Sequence, residues 1–426
     1  MIKKALNHGQ LYINYLGPLS ASLGNFIATP ILILNLGLKG WSLFALINIL
    51  LPLVYLILFG NAEIAKRLMI NVLLGNKKTE KSIKIFYEFE KKLIKRLIPA
   101  IIILSITLTI FNSDKYISYD SIELTFILIS IAIFIKIFEF YYAEILNGLK
   151  EHYKLQVYAF IVTILKWCSI ISISYLSEIN INFILLTVII FSFFLMTILR
   201  LVILDTFKKK VQKISQNNET ISLSNDSNFG IIMLSLLLIQ QFDKVLAFGI
   251  LEPLTLSYFA IALMICSAIY YIVLPVGLYL TPEIYEAVEL NKKNRNKKYF
   301  KLIIIQFIIL LSLLTISNLY LGPILIFWLG KNIDIIAVSS FLMPLTIITL
   351  SFSLLNSIKI FLIAENKLKL MKKPLVITFC ILLFLVLIVY FKFLTSQIYL
   401  YLYSFLIFFV TIYLCYKIFL KKLFIN

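Results

Sequence analysis

Apolar runs of about twenty residues recur along the whole chain, and that recurrence leaves few folds open. Only a helix or a closed barrel satisfies its own backbone polar groups in hydrocarbon, and a helix needs about 20 mostly apolar residues to cross. On that rule the sequence predicts twelve spans, at 11–35, 42–64, 94–112, 122–146, 155–176, 181–203, 229–250, 255–281, 301–320, 336–361, 374–393 and 397–416. The ninth has room to continue to Trp328, across a break at Gly322 and Pro323. The expected fold class is all-α, a polytopic membrane protein. A mean hydropathy of +0.97 and a hydrophobic content of 61% lie outside the range of soluble domains, which agrees.

Cytoplasmic loops carry the excess of Lys and Arg, so the basic residues test the span count. With the N-terminus inside, all but seven of the 40 fall on or beside the cytoplasmic side. Lys39, Lys115, Lys331 and Lys392 fall outside, and Lys136, Lys166 and Lys244 lie within spans. Both termini are then cytoplasmic. The formal charge of +19 reads as this orientation signal, with anionic membrane lipids as partners of the basic loops and no nucleic acid. The N-terminal apolar run, interrupted by Asn14, Gly17, Pro18 and Gly24, reads as a retained first span rather than a secretory signal. The segment 76–92 mixes Ile83, Ile85, Phe86 and Phe89 with lysines, which predicts a partly helical element lying along the inner surface.

The most polar stretch, DTFKKKVQKISQNNETISLSNDSN at 205–228, reads as a cytoplasmic linker between an N-terminal six-helix lobe, 1–204, and a C-terminal one, 229–426. Two matches share an offset of 215: Ser42-Leu43-Phe44-Ala45 with Ser257-Tyr258-Phe259-Ala260, and residues 152–163 with 367–378. Six spans separate the copies, an even number, so both halves cross in the same sense. Such a parallel repeat about the membrane normal is how transporters build a central cavity between two bundles.

Enzyme chemistry finds no residues to use. His8 and His152 are the only histidines, the four cysteines stand singly in apolar runs, and there is no phosphate-binding glycine loop. No enzyme activity, metal site or cofactor is expected, and transport energy must come from a gradient or from the substrate itself. What remains is a sparse set of charges inside spans: Lys136, Glu139, Lys166, Asp243 and Lys244, the last two preceded by Gln240 and Gln241. Such residues face a bundle interior or a water-filled cavity. Lys136 and Glu139 are spaced i,i+3 and can pair, so structural and substrate roles both stand for them. Asp243 and Lys244 point about 100° apart on a helix, so they are expected to neutralise one another poorly and at least one to face something else. Lys244, Lys166 and Lys136 are the candidate substrate-binding cations, and Asp243, Glu139, Gln240 and Gln241 the candidate tuning or ion-coupling groups. Arg67 and Arg200, near inner ends, read as snorkelling side chains.

In QQFDKVLAFGILEPLTLSYFAIALMICSAIYYIVLPVGLYLTPEIYEA, residues 240–287, a seventh-span Asp, an outer loop, a Tyr-x-Ala helix start and a late proline follow in order, carried by Asp243, Tyr258 and Pro282. Weaker signals are LNLGLKGWSLFAL after the first span and ILNGLKEHYKLQVYAF, with Gly148, between the fourth and fifth. With these the chain resembles the polysaccharide or O-antigen flippases (Wzx-type) of the multidrug, oligosaccharidyl-lipid and polysaccharide exporter superfamily. Ser257 and Ala364-Glu365-Asn366 depart from that family's frequent glycines. The resemblance implies translocation of undecaprenyl-diphosphate-linked oligosaccharide from the cytoplasmic to the outer leaflet of a bacterial inner membrane, by alternating access. It further implies cavity cations for the diphosphate, a coupling ion that is H+ or Na+, and work alongside a polysaccharide polymerase and glycosyltransferases. The alternatives are a multidrug/cation antiporter of the same superfamily, which would prefer acidic, aromatic-lined sites, and a membrane polysaccharide polymerase. The polymerase would want a large outer loop bearing arginines, and every predicted outer loop is short and has none.

Overall fold

The computed structural model describes residues 2–54, 79–112, 122–149, 151–175, 180–211, parts of 232–247, 251–270, 295–330, 333–364, 367, 369–391 and 395–420. The chain divides into two compact units, Met1–Asp226 and Ser227–Asn426. Every regular element among the described residues is helical. Nine of these helices are long and apolar enough to cross a membrane, and a tenth if one bent pair is a single span.

The first unit holds α1 (Ile2–Val54), α2 (Thr79–Asn112), α3 (Ile122–Gly148), α4 (His152–Ser174) and α5 (Ile181–Val211). The first predicted span and the described part of the second, to Val54, form one helical run with a single interruption, Gly37, at φ 69° and ψ 170°. That left-handed φ, which a side chain resists and glycine does not, is the turn between them. A Cβ at Gly37 would meet nothing within 4 Å, so the residue is there for its backbone alone.

α2 corrects one expectation. The segment from Thr79 to Lys92 is helical but continues into the third span as one 34-residue helix, about 51 Å long, rather than turning to lie along the surface. No glycine or proline interrupts 79–98, and the buried faces of Phe86, Glu90 and Leu93 hold the extension against its neighbours. Residues 76–78 lie outside the described residues. α5 likewise runs on through 205–211 of the predicted linker, and 212–228 lie outside the described residues.

Packing in this unit follows the alternating sense of the spans. Gly17 and Gly24 of α1 lie against Gln156 and Trp167 of α4, and Asn35 donates to the Ser174 carbonyl at 2.9 Å, so the first and fifth spans run parallel. Both glycines are needed for that approach: a Cβ at Gly24 would fall 1.9 Å from the Trp167 ring, and one at Gly17 2.1 Å from Gln156 Oε1. The Thr125 hydroxyl donates to Asn182 Oδ1 at 2.8 Å, joining the beginnings of α3 and α5, spans four and six, also parallel.

The second unit contains α6, the helical residues 238–244 of the seventh span, then α7 (Pro253–Tyr270), α8 (Arg295–Leu319), α9 (Leu321–Leu329), α10 (Ile335–Ala364), α11 (Lys369–Tyr390) and α12 (Ser396–Cys415). α8 and α9 meet at 71°, so the ninth span bends sharply at Tyr320 and does not run straight on to Trp328. Pro323 explains why the bend precedes Gly322: it has no N–H to offer the Leu319 carbonyl four residues back, and its ring clashes there. α9 then stops at Gly330, at φ 84°.

The pairings of the first unit recur in the second. Phe242 meets Phe379 at a centroid distance of 5.8 Å, joining spans seven and eleven. Gln397 donates to Ser340 Oγ at 3.1 Å, joining the beginnings of α12 and α10, spans twelve and ten. Spans one with five and four with six thus correspond to seven with eleven and ten with twelve, the pattern that the 215-residue offset implies.

Candidate functional site

Each unit contains its own buried polar cluster, and the two are built differently. In the first, Lys136 and Glu139 lie one turn apart on α3 with Nζ 2.5 Å from Oε2. The other carboxylate oxygen, Oε1, is buried without a hydrogen-bond partner. Lys166 projects from α4 so that the charges of both Lys136 and Glu139 act on it. Its Nζ sits 4.8 Å above the Trp167 ring, a cation–π contact, and it pairs with no carboxylate among the described residues. Trp167 is buried between Gly24 and Phe44, whose ring it meets edge-on at 6.1 Å, and its indole N–H is unpartnered. The cluster therefore has two cations to one carboxylate, with an acceptor and a donor left over.

In the second unit three of the four polar residues of α6, Gln240, Asp243 and Lys244, come together. Asp243 is buried, 1% exposed. Lys244 folds its four-carbon stem back so that Nζ lies 3.3 and 3.4 Å from the two Asp243 oxygens and 3.4 Å from the Gln240 carbonyl. The Cα–Cβ directions of the two adjacent residues diverge, and the long lysine stem returns to the carboxylate. All three distances are at the long end of the hydrogen-bond range, so the pair is loose. Gln240 donates to Asn356 Oδ1 at 3.4 Å, and Asn356 in turn to the Tyr270 hydroxyl at 3.4 Å. Gln241 Oε1 is buried and unpartnered.

Around Asp243 stand groups that the sequence reading missed. Its charge acts on Cys266, Tyr399 and Tyr403. The two tyrosines, four residues apart on α12, stack at 6.1 Å; Tyr403 donates to the Ile239 carbonyl at 2.5 Å, while the buried Tyr399 hydroxyl has no partner. The signal was present in YLYLY, 399–403, where alternate tyrosines place 399 and 403 on one helical face.

Arg200 also departs from expectation. Instead of snorkelling it forks onto Glu90, Nε to Oε1 at 2.9 Å and Nη2 to Oε2 at 3.2 Å, and the Tyr142 hydroxyl donates to the same carboxylate. Glu90 is buried in the N-terminal half of α2, where Phe86, Tyr142 and Phe207 pack beside it. This clamp ties α2 to α3 and α5. Arg67 lies outside the described residues.

Helices of this order and pairing define the class: a multi-pass membrane protein with the fold of the MATE transporters. No protein-family model matches the chain, and no curated protein matches it. Among solved structures, the MATE multidrug transporter DinF-BH in a ligand complex is similar, at 14% identity over 97% of this chain and 95% of that one, with a TM-score of 0.64. The inward-facing conformation of a multidrug resistance MATE family transporter of the MOP superfamily gives 13% identity over 95% and 96% of the two chains, with a TM-score of 0.53. The outward-facing conformation of a transporter so described gives 14%, 94%, 96% and 0.51. At these identities the likeness establishes the fold. It lends no particular support to the polysaccharide flippases among families of this superfamily.

Proposed function

We propose that the chain is a membrane exporter working by alternating access, with substrates of the multidrug class. The observation that supports this is the overlap, over nearly the full length of both chains, with structures whose descriptions name multidrug transporters. The second unit is compatible with it: a buried carboxylate, Asp243, beside two stacked phenols is the chemistry that receives lipophilic cations. Of the two readings open from sequence, drug export is the better supported.

One observation favours the second reading, translocation of a lipid-diphosphate-linked oligosaccharide for surface polysaccharide. Lys166 is a cation surplus to the acids of its cluster. A diphosphate crossing about 30 Å of hydrocarbon needs such ammonium donors, for which Lys136 is the second. The polymerase and glycosyltransferase partners and the bacterial inner membrane belong to this reading.

Expression in a bacterium stripped of its own drug exporters, with efflux of a lipophilic cationic dye as readout, tests the first reading. Complementation of a strain unable to move lipid-linked oligosaccharide tests the second. Dye efflux abolished by Asp243→Asn supports drug export. Restored surface polysaccharide without efflux transfers the conclusion to the flippase, and neither result from a well-expressed protein overturns export.

A further inference from the structure

α2 has two faces with different chemistry at its inner end. One is protein: Phe86, Glu90, Leu93, Leu97 and Leu108 are buried, and at 100° per residue they fall within an arc of about 60°. The opposite arc is outward. It carries the exposed Ile102, Ile103, Ile106 and Ile110, which form the lipid-facing stripe of the third span. Lys91, Lys95 and Arg96, all exposed, continue that stripe below the isoleucines. Lys92 is exposed there too but has an interaction of its own, and Glu88 is the one acid on the arc. No described carboxylate pairs with Lys91, Lys95 or Arg96.

Depth decides what these cations meet. The apolar run between Arg96 and Asn112 is about 22 Å long, against about 30 Å of hydrocarbon. With Asn112 at the outer boundary, the backbone at Lys95 and Arg96 lies inside the acyl region, and their stems must reach down to the phosphate level. A ligand that fits must offer an anionic head to the cations and chains to the isoleucines on the same face. We propose that the inner end of α2 is a binding surface for anionic glycerophospholipid of the basic-side leaflet, with Lys91, Lys95 and Arg96 on its phosphates and Ile102 and Ile106 along its acyl chains. The lipid holds the outer face of the helix whose inner face Glu90 clamps to Arg200. This surface is independent of what the protein transports.

The test uses the full chain in discs made with equal phosphatidylglycerol and phosphatidylcholine, re-extracted so that the retained lipid can be counted. Wild-type protein is expected to keep phosphatidylglycerol enriched at least about twofold over phosphatidylcholine, and K91Q/K95Q/R96Q to fall close to the bulk ratio. The control is K369Q/K373Q, which removes two exposed cations from the start of α11 and is expected to keep most of the enrichment. Unchanged enrichment in the triple variant overturns the proposal, as does equal loss in the control, which would mean a general surface charge effect. Should the triple variant fail to fold, Lys95→Gln alone is expected to lose part of the enrichment, and no loss overturns the proposal equally.

Discussion

Two units with the same helix pairings solve the problem of buried charge in different ways. The first spreads its charges over several helices: Lys136 and Glu139 on α3 with Lys166 on α4, and Glu90 on α2 forked by Arg200 on α5. In the second the ion pair formed by the α6 charges, Asp243 with Lys244, lies within one helix, and amides and phenols link α6 to α10 and α12. An ion pair between helices fixes where those helices sit; one within a helix leaves them tied only by weaker neutral bonds. The first unit also retains an unmatched cation, whereas the α6 charges of the second cancel. The shared pairing pattern therefore does not imply shared chemistry, and the units are expected to respond differently to loss of a lysine.

The largest effect should come from Lys244→Ala. It leaves the almost fully buried Asp243 without its partner, a loss of about 3 to 5 kcal/mol for a broken buried pair, read as low abundance in the membrane. Normal abundance would show that Asp243 is neutral or otherwise compensated, and the contrast between units would fail on that side. Glu90→Ala should come next. Arg200 is 40% exposed and water can take up part of its charge, so about 2 to 3 kcal/mol is expected, measured as a lower unfolding temperature in detergent. A loss as small as that of an exposed pair would mean that the clamp does not hold α2.

Gly24→Ala probes the first unit without touching charge. The methyl would need space now filled by the rigid Trp167 ring, at a cost of about 1 to 3 kcal/mol, and Gly24→Ala with Trp167→Leu should recover much of it. Failure of that rescue would place the strain elsewhere. Smallest in stability is Lys166→Gln, expected to cost under about 1 kcal/mol because no acid depends on it. If the substrate is anionic, transport should nevertheless collapse in this well-expressed variant, while dye efflux should survive it if the substrate is cationic. The pair of Lys→neutral variants thus sharpens the comparison: one lysine is needed for folding, the other for transport of an anionic substrate alone.

Much of this was legible in sequence, because a bilayer makes local pattern decisive. The apolar runs located the ends of α3, α10, α11 and α12 to within a few residues, since a helix in hydrocarbon must satisfy its own backbone whatever its neighbours do. The in-span charges were equally visible, being costly enough to stand out. Their partners were not. Glu90 and Arg200 are 110 positions apart, and Tyr403 reaches the Ile239 carbonyl over 164. Whether a lysine folds back on its neighbour, as Lys244 does, or lies over an aromatic ring, as Lys166 does, depends on which helix faces it. Nor could pattern tell that Thr79–Lys92 continues the helix of the third span: amphipathic spacing is the same for a helix lying on lipid and for one packed on protein, and the buried contacts of Phe86 and Glu90 chose the second. Hydrophobicity along the chain determined where the helices cross; side-chain packing between distant helices decided which charges are satisfied and which remain available.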